Sequence, residues 1–200
     1  MKQQVQDFKR QLMLDAAKDL FFKNGYSNST INDVAKAANV SKSTLYAYFD
    51  SKETILLNIF LHAAESSRES YRQAVDAATD PYKQLQAFCE QSYQCYCNSP
   101  QYIDLFDAAI RVIQTSENLS EEMQARVHSL HSETSGQIID VLRSGVANGI
   151  FRNDLNIEVC ADYFINTIQH ITIYFIQSPT YGHEEFKTAI EYFLDGLKSK

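Results

Sequence analysis

With 200 residues, 44% of them apolar, 22% charged and only 3 Pro and 6 Gly, the chain can bury a substantial core, which excludes wholesale disorder and disfavours an all-β fold. The net charge of −7 is uneven, because residues 1–53 hold 8 Lys and Arg against 6 Asp and Glu, whereas residues 54–200 hold 10 against 19. The mildly basic residues 1–53 permit an anionic partner at the N-terminal end. The acidic residues 54–200 make extensive nucleic-acid binding by the rest of the chain improbable.

Four helices are predicted in the first quarter of the chain. The first, about residues 7–23, ends at Asn24-Gly25 and carries apolar residues at helical spacing, namely Phe8, Leu12, Ala16, Leu20 and Phe21. Thr30 and Asp33 resemble a capping box, so a second helix begins there. Ser41 can cap a third helix that runs to about Phe49, and residues 50–53 open a fourth.

Five further helices follow, separated by proline, glycine and polar segments. We place them at about residues 82–97, 100–114, 120–149, 157–177 and 183–198. Two of these helices start at Pro81 and Pro100, and acidic residues follow Ser120, where they favour the positive end of the helix dipole. No alternating strand pattern competes with these helices, so we predict an all-α fold.

The second and third helices, joined by a turn of three to four residues, have the spacing of a helix-turn-helix. Their apolar residues can pack on the first helix, which leaves an outer side made of Lys42, Ser43, Thr44, Tyr46 and Tyr48. Hydroxyl and amino groups can donate hydrogen bonds to phosphates or base edges, and Lys52 would add a contact to the DNA backbone. A three-helix packing module with a solvated polar face has the same spacing, and that alternative stays open.

Residues 8–60 contain a characteristic series of residues, which in order are Ala16-Ala17-x-x-Leu20-Phe21-x-x-x-Gly25-Tyr26, then Thr30-Ile31-x-Asp33-Val34-Ala35, then Val40-Ser41-Lys42-Ser43-Thr44-Leu45-Tyr46-x-Tyr48-Phe49-x-Ser51-Lys52-Glu53. In these residues the sequence resembles the TetR/AcrR family of transcriptional repressors. Residues 61–200 show no comparable motif beyond the generic helical ligand domain of that family.

The resemblance implies a homodimeric one-component regulator rather than an enzyme. Its N-terminal three-helix domain, residues 1–52, would bind palindromic operator DNA, and a C-terminal helical bundle, residues 53–200, would bind a small-molecule effector that releases the DNA and would also form the dimer. Carried over by position, Lys42, Ser43, Thr44, Tyr46 and Tyr48 would lie in or beside the major groove. Thr30 and Lys52 would hold phosphates.

The last two helices are predicted to form the dimer interface. The helix at 157–177 carries apolar residues on nearly all sides, and the final helix carries one apolar stripe. Two such helices from each protomer would make a four-helix bundle with two-fold symmetry, through Phe164, Ile168, Phe186, Ile190, Phe193 and Leu197. Burial of the first of these helices inside a monomer is the alternative.

An aromatic-rich region of the C-terminal part is the predicted ligand pocket. Helical bundles commonly hold ligands in mostly apolar pockets with a few polar groups, and here we expect Phe88, Tyr102, Phe106, His131, His170 and Tyr174 to contribute. That a pocket exists is implied chiefly by the resemblance. We expect a neutral or weakly polar effector, although the acidic body could also favour a cation.

Two other functions remain as alternatives. Cys89, Cys95 and Cys97 with His128 and His131 could serve a metal- or redox-sensing regulator, but C-x5-C-x-C lacks the usual zinc spacing, so we expect no metal and no cofactor. A helical ligand carrier or enzyme without a DNA role would need a catalytic motif, and we find none. The start of the chain has no secretory signal pattern, so we expect free thiols in a cytoplasmic protein.

Overall fold

The computed structural model describes residues 2–116 and 119–199, and within them the chain is helical. Its helices, in chain order, are α1 (Lys2–Asn24), α2 (Ile31–Ala37), α3 (Lys42–Tyr46), α4 (Lys52–Asp76), α5 (Pro81–Asn98), α6 (Tyr102–Thr115), α7 (Glu121–Ala147), α8 (Ile157–Gln177) and α9 (His183–Asp195). These residues include no β-strand, only an isolated antiparallel bridge between Phe151 and Lys198. The predicted all-α fold is confirmed.

Local signals end α1 and begin α2 and α3 as predicted. Thr30 and Asp33 form a reciprocal capping box at the start of α2, and the Ser41 side chain caps α3 by accepting a hydrogen bond from the Thr44 backbone nitrogen. After α1, Gly25 has a φ of +80°, a left-handed conformation that residues with a Cβ resist. Each of these signals acts within a few residues, which is why the sequence predicts them well.

Three helices differ from their predicted bounds by three residues or more. The first begins at Lys2 rather than near residue 7. The third ends at Tyr46 rather than near Phe49, because the Ala47 and Tyr48 amides donate to carbonyls three or four residues back in a closing turn. The last ends at Asp195 rather than near 198, where Lys198 pairs with Phe151 instead.

The chain divides into two compact units, of which the first comprises Met1–Ala64 and Gln101–Val127. On α1 its buried row runs through Met13, Ala17 and Phe21, whereas Phe8 and Leu12 are 65% and 53% exposed. These two residues belong to the neighbouring i, i+4 row, turned by about 100° around the helix, so they lie off the buried face, whereas Phe21 of the predicted set lies on it. The predicted domain boundary at residues 52 and 53 falls in the first turn of α4, inside this unit, and it remains a prediction.

The second unit comprises Glu65–Pro100 and His128–Lys200. Its core joins buried residues of several helices around α5, α8 and α9, including Leu85, Phe88, Ile138, Leu142, Phe164, Ile168, Phe186, Ile190 and Leu194. In the described part of the chain, no helix is both long and apolar enough to cross a membrane.

Candidate nucleic-acid interface

Helix α3 has an exposed polar face, and one buried side chain on its other side packs into the protein. Leu45 is completely buried, whereas Lys42, Ser43 and Thr44 are exposed. The Ser41 hydroxyl lies 2.8 Å from the hydroxyl of Ser43 and 2.7 Å from that of Thr44, and it caps the helix as well. The three hydroxyls therefore form one exposed polar cluster at the N-terminus of α3, where the helix dipole favours an anion.

A lysine and a tyrosine extend this face by one helical turn. The Lys42 ammonium nitrogen lies 5.7 Å from the centroid of the Tyr46 ring, and Tyr46 is 45% exposed. This cation–π contact restricts both side chains without removing either from solvent. Tyr48, which was predicted to share the face, follows the helix and is only half-buried. The structure thus brings Lys42, Ser43, Thr44 and Tyr46 together on α3, with Tyr48 at the edge.

Helix α2, which precedes α3, begins at a hydrogen-bonded cap. The Thr30 backbone nitrogen and hydroxyl donate to Asp33 Oδ2 at 3.0 and 2.6 Å, and these bonds hold the pKa of the Asp33 carboxyl below its usual range. Val34 and Ala35 are buried on the inner side of the helix. Thr30 stays exposed, but its hydroxyl and its backbone nitrogen already donate to Asp33, and its predicted phosphate contact stays a prediction.

Lys52, at the first position of α4, is directed towards the protein. Its ammonium nitrogen donates to the backbone oxygens of Tyr26 and Ser29, at 3.0 and 2.9 Å, and lies 4.0 Å from the centroid of the Tyr26 ring. Its predicted phosphate contact stays a prediction, but in this structure two of the three ammonium donors are already used.

A buried amide that the sequence analysis missed also holds α4. Asn58 is 3% exposed, and its Oδ1 accepts hydrogen bonds from Arg10 of α1 at 3.1 Å and from Arg126 of α7 at 3.0 Å. The Arg10 guanidinium carbon also lies 5.2 Å from the centroid of the Phe49 ring, just after α3. The sequence does contain a signal for this contact, because Asn58 is a polar residue within the apolar run 55–61 and a buried amide needs hydrogen-bond partners.

The six predicted pocket residues are divided between the two units. In the first unit, Tyr102 and Phe106 pack against each other, with ring centroids 5.4 Å apart. In the second unit, Phe88 is a core residue, whereas His131, His170 and Tyr174 are exposed. The structure therefore does not bring these four residues to a common cavity within the second unit, and the predicted pocket remains a prediction.

Two surface depressions are found at other places. One, of about 750 Å³ in the first unit, is lined by Asp50, Ser51, Glu53, Thr54, Thr115, Ser116, Leu119 and Ser120. The other, of about 250 Å³ in the second unit, is lined by Gln86, Ala87, Cys89, Glu90, Phe186, Lys187, Ile190 and Glu191. Neither includes a residue of the predicted ligand pocket.

The residues predicted for the dimer interface are mostly core residues of their own chain. Phe164, Ile168, Phe186 and Ile190 are at most 4% exposed and pack inside the second unit. In the single chain these four side chains are enclosed by their own protomer and leave little area for a partner. Phe193 and Leu197 are partly exposed, and a dimer through these two helices stays a prediction.

The four cysteines are free thiols, of which Cys89 is buried and Cys97 is exposed. Burial raises the pKa of the Cys89 thiol, so this group stays protonated. Across residues 2–116 and 119–199, no group of three or more His, Cys, Asp or Glu side chains is placed to hold a metal ion.

The first unit as a whole has the architecture of a helix-turn-helix DNA-binding protein: a short supporting helix, a tight turn and a second helix with an exposed polar N-terminus. Residues 13–59 match the family described as "Bacterial regulatory proteins, tetR family". This match covers the second half of α1, all of α2 and α3, and the first turns of α4. Residues 13–59 are therefore similar to the DNA-binding domain of tetR-family regulatory proteins, and the relatives that align with most of the chain are named as transcriptional repressors.

Relatives align over most of the chain. The HTH-type transcriptional repressor KstR2 of Rhodococcus jostii (strain RHA1) is 26% identical over 159 residues, which cover 80% of this chain and 76% of KstR2. The fatty acid metabolism regulator protein of Bacillus subtilis (strain 168) is 20% identical over 190 residues, covering 94% and 95%. The crystal structure of the TetR family regulator PfmR from Thermus thermophilus has a TM-score of 0.69 at 25% identity, covering 95% of this chain and 97% of PfmR.

Proposed function

We propose that this protein is a one-component transcriptional repressor of the cytoplasm, which binds palindromic operator DNA as a homodimer and is released by a small-molecule effector. The observation that carries the proposal is the exposed face of α3, where Lys42, Ser43, Thr44 and Tyr46 lie together above the buried Leu45. A helix of this kind fits the major groove, and its N-terminal residues are the ones that reach base edges.

The composition of this face suggests how DNA would be recognised. Lys42 is the single cation on α3, so direct contacts to bases would come mainly from hydroxyl groups and from the Tyr46 ring. Phosphate contacts would come from Thr30, the α3 N-terminus and other groups of the mildly basic residues 1–53. Few charged contacts to bases leave a share of the specificity to the shape of the operator.

A dimer would use the faces of α8 and α9 that the protomer leaves open. Val159, Tyr163 and Tyr174 on α8 are 58–64% exposed, and Tyr163 lies 6.0 Å from the partly exposed Phe193 of α9, between ring centroids. Adjacent exposed aromatic residues favour an interface with a second copy. Two-fold symmetry would then place the two α3 helices about 34–36 Å apart, one turn of DNA.

The effector would be mainly apolar, because the second unit encloses a core with few polar groups. Thr172 is completely buried in α8, and its Oγ1 has no hydrogen-bond partner in the described part of the chain, so it is available to a polar atom of a ligand. The Bacillus subtilis relative is named a fatty acid metabolism regulator protein, so long-chain acyl compounds are the first class of effector to test.

The proposal is tested by selecting duplexes from a random-sequence pool with the full-length protein and titrating the selected duplex against salt. We expect a palindromic site whose affinity falls steeply with salt, by about 0.9 log units per neutralised phosphate for each log unit of salt. Long-chain acyl-CoA is then the first effector probe. Equal affinity for selected and random duplexes would overturn the proposal.

A further inference from the structure

We propose that Asn58 is a positioning residue of the DNA-binding unit, through which Arg126 of α7 helps to hold α3 in place. This inference rests on the proposed DNA-binding function. Its basis is that one buried oxygen, Asn58 Oδ1, accepts hydrogen bonds from both Arg10 of α1 and Arg126 of α7, at 3.1 and 3.0 Å. Both arginines lie outside residues 13–59, the segment that matches the tetR family, so residues on either side of that segment support it.

The amide group of Asn58 is itself fixed by its own helix. Its Nδ2 donates to the Thr54 carbonyl, one turn earlier on α4, at 2.7 Å, and the side chain is 3% exposed. With the nitrogen bonded in this way, the oxygen is left to accept from the two guanidinium groups. An apolar side chain of similar size would fill the same space but would deprive both arginines of this acceptor, and a donor that loses its acceptor inside a protein is costly.

Arg10 connects this oxygen to the end of α3. Its guanidinium carbon lies 5.2 Å from the centroid of the Phe49 ring. Phe49 is 1% exposed, and its amide donates to the carbonyl of Leu45, the buried residue of α3, at 3.0 Å. Arg10 Nε is buried and has no hydrogen-bond partner in the described part of the chain, so the bond from Nη2 to Asn58 orients the guanidinium over the ring. The position of the Asn58 oxygen therefore affects the support of α3.

Arg126 brings α7 to the same point. It lies in the second turn of α7, three residues after the buried Met123. Because a hydrogen bond is lost by about 3.6 Å between heavy atoms, a shift of α7 against α4 by about 1 Å would break the bond from Arg126. The two guanidinium groups carry like charges and share one neutral acceptor, so when Arg126 leaves, Arg10 moves to a new position around the oxygen. A change at α7 is thereby passed to the residue that packs on Phe49.

A double-mutant cycle on DNA affinity tests the inference in the full-length protein. In Arg126→Met, which keeps the aliphatic stem and removes the donors, we expect the affinity for the selected duplex to fall about fivefold. The slope of log affinity against log salt should stay unchanged, because no phosphate contact is lost. In a background that carries Asn58→Leu, the same substitution should change the affinity less than about twofold. Equal losses in the two backgrounds, a lower salt slope, or wild-type affinity of Arg126→Met would each overturn the inference.

Arg111→Met is the matched control for the loss of a positive charge. Arg111 is an exposed arginine of α6 in the same unit, and its guanidinium pairs with Asp107 of its own helix. This substitution removes the same kind of group and should leave DNA affinity unchanged. A loss as large as that of Arg126→Met would show that charge alone matters, which contradicts a specific role of Asn58.

NMR spectra recorded without DNA keep the test decisive where Asn58→Leu folds poorly. Removal of the Arg126 donor should shift the side-chain amide signals of Asn58 and the backbone amide signal of Phe49, whereas Arg111→Met should leave both unchanged. An unchanged Phe49 signal in Arg126→Met overturns the inference even without DNA. A wild-type protein that prefers no duplex overturns the proposed function, whatever the spectra show.

Discussion

The Cα of Gly145 in α7 lies directly against the ring of Phe151, so closely that a Cβ built on this glycine would overlap ring carbons Cδ2 and Cε2. Phe151 is 1% exposed and belongs to the core of the second unit, so its ring has no free space into which to move. The absence of a side chain at residue 145 is therefore what allows the segment after α7 to fold back on that helix.

Gly145→Ala should destabilise the second unit by about 1–3 kcal/mol, because the new methyl group overpacks a filled core. Gly136→Ala is the control on the same helix. A Cβ at residue 136 meets no atom within 4 Å, so there the better helix propensity of alanine should stabilise by about 0.5–1 kcal/mol. Urea unfolding of the two variants and the wild type measures both effects. Equal shifts of the same sign would show that Phe151 does not constrain residue 145.

Thr172→Val should maintain or raise the stability of the protein. The substitution keeps the shape of the side chain and removes a buried hydroxyl that has no hydrogen-bond partner in the described residues, whose burial costs about 1–3 kcal/mol. Ser92→Ala is the comparison, since the Ser92 hydroxyl donates to the Phe88 carbonyl at 3.1 Å and its removal should not stabilise. Thermal unfolding checks both variants, and a large loss of stability in Thr172→Val would show that the hydroxyl has a partner.

Asp33→Asn should reduce the loss of stability in acid. Hydrogen bonds from Thr30 lower the pKa of the Asp33 carboxyl in the folded state, so its ionisation stabilises the fold. That contribution is complete above the unfolded pKa of about 3.9 and is lost as the pH falls through the lower folded pKa. Urea midpoints between pH 5 and pH 2 should therefore fall less steeply for Asp33→Asn than for the wild type. Parallel curves would contradict the carboxylate cap.

Tyr163→Glu should convert a dimer into a folded monomer. The ring is 63% exposed in the protomer, so the substitution spares the core but places a charge in the proposed interface. Tyr46→Glu is the matched control, because Tyr46 is also exposed but lies on α3 and should leave the dimer intact. Sedimentation velocity distinguishes the two, and a Tyr163→Glu variant that remains dimeric would place the interface elsewhere.

Local signals made the N-terminal helices predictable, whereas contacts through space did not follow from the sequence. The cap formed by Thr30 and Asp33 acts over three residues and is visible as a pattern. The carbonyl partners of Lys52 lie 26 and 23 residues earlier, and no spacing rule connects them. The sequence analysis assigned the lysine to a phosphate, a contact that stays a prediction, and only the fold shows that its ammonium donates to these two carbonyl oxygens.

The apolar pattern likewise indicated which residues can be buried, but it could not indicate which helix packs against them. Helix α8 carries apolar residues on most of its sides, as its sequence indicates. Phe164 and Ile168 nevertheless pack within their own unit, whereas Tyr163 and Tyr174 are exposed. Periodicity shows which face of one helix is apolar. Which element covers that face depends on how several helices pack together. For the same reason, the four predicted pocket residues of the second unit do not line a common cavity within that unit, and the predicted pocket stays a prediction.

The bridge between Phe151 and Lys198 means that the end of α9 cannot fray independently. The Arg152 amide donates to the Leu197 carbonyl at 2.9 Å and the Ser199 amide donates to that of Ile150 at 3.0 Å, so residues 197–199 are bonded to the loop that covers Gly145. Opening this segment would uncover Phe151 as well. The Arg152 and Ser199 amides should therefore exchange their hydrogens with solvent only when the second unit opens as a whole, at a rate close to that of the core helices.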